Sequence, residues 1–139
     1  MNQRGWLVLY WTLSVTFLVT AALNMLRLRG GFLTNHAADL VVPAWMYVAS
    51  RGLHSTRGRQ TFIQCTLGRT PERAALVLFL ASMLTEVSQY YAPRGLFPGR
   101  FDALDILSYA VGLGFCYVLD RRGLVRAGHV ASVDSGAAA

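Results

Sequence analysis

Four long apolar stretches, at about residues 6–28, 35–53, 71–91 and 102–119, take up most of this chain, and the short segments beside them hold its arginines. A helix rising 1.5 Å per residue over 23 residues is about 34 Å long, enough to cross the roughly 30 Å hydrocarbon core of a bilayer. Of the 139 residues 54% are hydrophobic and only 14% charged, whereas soluble domains carry about a quarter charged residues. No polar segment is long enough for a large extramembrane domain, which excludes nucleotide-binding and similar folds. The expectation is an all-α protein, a four-transmembrane-helix integral membrane bundle forming one domain over 1–126. The tail 127–139 is small and polar and is expected to be disordered.

The formal net charge is +6, and all thirteen basic residues are arginine, a bias that reads as bacterial. They sit beside the apolar segments instead of lining one polar face, so membrane topology explains them and no nucleic-acid partner is expected. With four crossings, Arg4, Arg51, Arg57, Arg59, Arg69, Arg73, Arg121, Arg122 and Arg126 fall on one side. Arg27, Arg29, Arg94 and Arg100 fall on the other. Nine against four places both termini in the cytoplasm by the positive-inside bias, and the chain in the bacterial inner membrane as a multi-pass protein.

Local signals set the segment ends. Trp6, Tyr10 and Trp11 suit a headgroup interface, and the first apolar run is too long for a cleavable signal peptide. The second segment carries Asp39 and Pro43 and closes at Arg51 and His54. The next stretch is a loop with a short interfacial piece around Phe62-Ile63. Thr70-Pro71-Glu72 combines a capping hydroxyl, a proline at the first helical position and a first-turn acid. Asp120-Arg121-Arg122-Gly123 marks the end of the last helix. Cys65 and Cys116 form neither metal spacing nor a disulfide framework and read as structural.

Most of the polar information lies between Thr85 and Gly112. Glu86 and Gln89 are three apart and share a helix face, as do Asp102 and Asp105, with Tyr109 continuing the second face. The short connection makes the third and fourth helices antiparallel neighbours, so these five residues come to one membrane depth, under Arg94 and Arg100 in the loop. An ionisable group this close to hydrocarbon is costly and is a functional candidate by default. A structural reading stands beside that one: Asp102 and Asp105 cap the fourth helix, and Glu86 pairs with Arg100 to close the hairpin. Asp39, near the same end of the second helix, either joins the cluster or is a first-turn acid. His36 reads as an interfacial residue. With no histidine joining the acids, no metal is expected, and no cofactor. Gly112 and Gly114 read as sites of close helix packing.

Glu86-x-x-Gln89, a loop with proline, glycine and Arg100, then Asp105 and Gly112 together resemble the signature of VanZ-like membrane proteins over 28 residues. Tyr109 stands where that family commonly has asparagine, and the Phe101-Asp102-x-x-Asp105-x-x-x-Tyr109-x-x-Gly112 form looks closer to a related uncharacterised family of small bacterial membrane proteins. The resemblance implies four helices over the whole chain and a link to envelope stress or glycopeptide tolerance.

Location and resemblance together give the expected function: a polar pocket near the outer leaflet that binds a membrane lipid or a lipid-linked envelope intermediate. The ligand-binding candidates are Glu86, Gln89, Arg94, Arg100, Asp102, Asp105, Tyr109 and Asp39. In this reading the arginines contact an anionic headgroup, the acids orient them, and Gln89 and Tyr109 donate hydrogen bonds. One alternative is an enzyme acting on a lipid-linked substrate with Glu86 or Asp105 as general base. Another is a structural subunit of a larger membrane complex, or a homo-oligomer, in which the acids lock the hairpin.

Overall fold

The computed structural model describes residues 2–26, 32–53, 62–92, 94 and 101–136, with side chains described at all of these except 32–35 and 124–136. Among them the chain is helical: α1 (Gln3–Met25), α2 (Phe32–Ser50), a five-residue α3 (Phe62–Thr66), α4 (Pro71–Tyr91) and α5 (Ala103–Gly136).

The ends of these helices follow from a few local contacts. Asn2 caps α1 by accepting a hydrogen bond from the Gly5 N–H at 2.9 Å. The Thr70 hydroxyl accepts from the Arg73 N–H at 3.2 Å, and Pro71 opens α4. This helix has the 71–91 bounds expected from its sequence. By contrast, α2 ends at Ser50 and not at 53. Gly52 adopts φ +65°, its N–H bonds the Ala49 carbonyl, and the Leu53 N–H bonds that of Val48. These two bonds form a Schellman cap, which only a glycine accommodates without strain.

In α5 the expected stop at Leu119 is passed, and the helix runs on through most of the segment expected to be disordered. An interior glycine such as Gly123 costs a helix only about 1 kcal/mol. Asp120, which reads as a terminator, is instead held inside the fold by Tyr47 and Arg51.

The four long helices alternate in direction, and α2 is central, packing against α1, α4 and α5. Its residues Ala44, Tyr47 and Val48 form the core with Trp6, Ala74, Leu78, Leu113 and Cys116. Two glycines allow the closest approaches. A Cβ on Gly112 would lie 2.1 Å from the Leu40 carbonyl oxygen, so α5 meets α2 backbone to backbone only because that Cβ is missing. A Cβ on Gly68 would lie 1.9 Å from the Ser50 carbonyl, which seats the turn before α4 against the end of α2. Gly114 does not do what its sequence context suggests. A Cβ there meets nothing within 4 Å, and it lines a shallow apolar groove between α4 and α5.

Burial runs opposite to that of a soluble protein. Glu86 and Asp120 are 1% and 4% exposed, while Leu18, Leu84, Leu107 and Phe115 are each more than half exposed. In water this would strand apolar area and bury charge, whereas in a bilayer the outward leucines are solvated by lipid and the polar groups satisfy one another. Three helices are long and apolar enough to cross a membrane: Gln3–Met25, Pro71–Tyr91 and Ala103–Gly123. The chain is a membrane protein on these grounds. The fourth expected span, α2, falls short of the same threshold because Asn35, His36 and Asp39 lower its hydropathy. These polar residues occupy the helix that the other three surround.

Candidate functional site

The start of α2, the end of α4 and the start of α5 meet at one end of the bundle, and five of the sequence candidates meet there. The Tyr109 hydroxyl donates to Glu86 Oε1 at 2.8 Å and lies 3.3 Å from Asp39 Oδ1. Glu86 Oε2 accepts from the Asp102 N–H at 3.3 Å. Asp39 in turn is close enough to Asp105 and Glu86 for their charges to act on it. Asp102 also plays the structural part foreseen for it, its Oδ1 accepting from the Leu104 N–H at 2.9 Å to cap α5. With both oxygens bonded and 1% exposure, Glu86 acts as the keystone of the cluster.

His36 corrects the sequence reading. It is no interfacial bystander: its Nδ1 lies 2.7 Å from Asp105 Oδ1, with both side chains less than a fifth exposed. The expectation that no histidine joins the acids fails with it. One ligand atom from each of His36, Asp102 and Asp105 lies within 4.8 Å of the others, a spacing that fits a metal ion. A signal for this was present in the sequence. His36 and Asp39 are three apart and share a face of α2 in the same way that Asp102 and Asp105 share one of α5.

The remaining candidates are placed differently. Gln89 is half-buried one turn beyond Glu86, and none of the hydrogen bonds described at the cluster reaches it. Arg94 is exposed in the turn after α4. Arg100, and with it the expected Glu86–Arg100 pair, lies outside the described residues. Among those residues the ion pair at this end is His36–Asp105, not an arginine bridge.

A groove of about 400 Å³ leads away from the cluster between α2 and α4. Asp39, Thr85 and Tyr109 line its cluster end, and Val42, Pro43, Met46, Leu78 and Ala81 line the rest. Pro43 shapes it in two ways. The ring replaces an N–H that would bond the Asp39 carbonyl, and it adds apolar surface to the wall. Ligand sites are commonly of this size, mostly apolar with a few polar groups at one end.

At the opposite end of the bundle a second polar knot ties α2 to α5. Asp120 Oδ2 accepts from Arg51 Nε at 2.8 Å and from the Tyr47 hydroxyl at 2.9 Å, and the Arg51 guanidinium also donates to the Gly68 carbonyl. One carboxylate oxygen thus gathers a phenol and a guanidinium from α2, an arrangement that fits a structural lock between the two helices. Tyr47 and Arg51 are one helical turn apart, the one sequence sign of the knot.

No protein-family model matches the chain, and comparison with curated proteins and with solved structures returns no match. The functional reading therefore rests on the geometry above and on the motif.

Proposed function

We propose that this chain is a multi-pass protein of the bacterial inner membrane, similar to VanZ-like proteins, that binds a membrane lipid or a lipid-linked envelope intermediate. In this reading α2 crosses the membrane together with α1, α4 and α5, shielded from lipid by them. Both termini are cytoplasmic, as the nine-to-four arginine distribution favours, so the acidic cluster lies toward the outer leaflet.

The observation that carries the proposal is the groove between α2 and α4. It is apolar along most of its length and ends at Asp39, Thr85 and Tyr109. That order matches an amphiphile, with a hydrocarbon chain against Val42, Met46 and Leu78 and a polar head among hydroxyl and carboxylate groups. A soluble metabolite would have no use for the apolar length, and a plain structural contact would not leave it open.

Native mass spectrometry of the protein released from membranes with its lipids tests the reading. One amphiphile per chain is expected to survive gentle activation. Ala81→Trp, which puts an indole into the groove from an exposed position on α4, is expected to remove it while the protein stays folded. Equal lipid retention by the native and Ala81→Trp proteins would overturn the assignment.

A further inference from the structure

We propose that His36, Asp102 and Asp105 form a binding site for one divalent transition-metal cation of the zinc or manganese class. The donors come from two helices and converge without any rearrangement of the backbone. His36 Nδ1 and Asp105 Oδ1 are already 2.7 Å apart, and an oxygen of Asp102 lies within 4.8 Å of both. A cation seated among them pushes the nitrogen and oxygen slightly apart and replaces the proton they share.

The donor chemistry narrows the ion. One imidazole and two carboxylates are a mixed nitrogen–oxygen set, which suits zinc, manganese or ferrous iron better than calcium or magnesium, whose sites are built from oxygen alone. Three protein donors leave coordination positions open, as in sites that hold water or a ligand and unlike closed structural zinc sites.

Charge points the same way. Asp39, Glu86, Asp102 and Asp105 bring four carboxylates together, and His36 is the one basic side chain among the described residues in contact with them. The exposed leucines around the bundle put this charge near a low-dielectric phase, where like charges repel strongly and a divalent cation is favoured. The surroundings also resemble an outer shell that orients ligands. Glu86 fixes the Asp102 backbone and Tyr109 fixes Glu86.

The inference stands on these residues and does not require the lipid reading.

The test is titration of the untagged full chain, chelator-treated in lipid-free detergent, with Zn²⁺ alone by calorimetry and with Mn²⁺ alone by electron paramagnetic resonance. One equivalent is expected to bind and to raise the thermal midpoint. Asp102→Asn keeps the helix cap, and His36→Gln keeps most of the side-chain volume. Each is expected to weaken binding roughly tenfold or more, since loss of even an outer-shell partner costs about that much. Gln89→Ala is expected to bind as the native chain does. No saturable binding, or equal binding by the native chain and a folded His36→Gln/Asp102→Asn double variant, would overturn the proposal. Lipid retention in native mass spectrometry is scored separately, so a lost metal with retained lipid sinks this inference and leaves the lipid reading standing.

Discussion

Tyr109 and Glu86, 23 residues apart in sequence, are joined by a 2.8 Å hydrogen bond from the phenol to a carboxylate that is 1% exposed. This bond closes the α4–α5 hairpin, and Asp39 on α2 lies against the same hydroxyl. One phenol thus connects three helices at the candidate site.

Tyr109→Phe removes the donor but keeps the ring, leaving a buried carboxylate oxygen short of a partner. Such a loss costs about 1–3 kcal/mol. The thermal midpoint in detergent is expected to fall, and Glu86→Gln combined with Tyr109→Phe is expected to lose less than the sum of the two single changes. Strict additivity would mean that the two side chains do not interact in solution.

Two glycines on α5, two residues apart, make opposite predictions. Gly112→Ala drives a methyl into the Leu40 carbonyl, 2.1 Å away, and overpacking of this kind costs about 1–3 kcal/mol. Gly114→Ala enters open space and gains helix propensity worth up to about 1 kcal/mol. Midpoints of the two variants, measured side by side, are expected to move in opposite directions.

The charged pairs at the other end are ranked by burial. The side chains of Arg51 and Asp120 are 11% and 5% exposed, so Arg51→Gln strands a shielded carboxylate and is expected to cost about 3–5 kcal/mol. Arg121 and Glu72 form an ion pair whose side chains are both about half exposed, and Glu72→Gln is expected to change stability by no more than about 1 kcal/mol. Urea or thermal unfolding of both variants in the same detergent checks the order.

Topology follows from the alternation of the helices and the arginine bias. Reporter fusions after Gly31 and Gly95 are expected outside, and fusions after Arg59 and Ala127 in the cytoplasm. An outside signal from the Arg59 fusion would mean that α2 does not cross.

The sequence is legible wherever a signal is local. Thr70-Pro71 sets the start of α4, and the three-residue spacings of Glu86 with Gln89 and Asp102 with Asp105 pick out the helix ends that meet. Legibility fails where a residue takes its meaning from a distant partner. His36 reads as interfacial until Asp105, 69 residues later, is found beside it. Asp120 reads as a helix stop because the groups that satisfy it, Tyr47 and Arg51, belong to another helix. Hydropathy counted along one segment treats Asp39 as a defect of α2, although the surrounding helices supply its partners. Gly112 and Gly114 look alike in sequence, and only the path of α2 separates them.

The most direct test places a photoreactive residue at Ser82, which lines the α2–α4 groove, and at Phe115, which is 58% exposed on the outside of α5. Irradiation of intact membranes followed by mass spectrometry identifies the adducts. A binding groove predicts that the Ser82 adducts are enriched in one amphiphile class, while those at Phe115 follow the bulk lipid composition. The same bulk composition at both positions would contradict the assignment of the groove as a binding site.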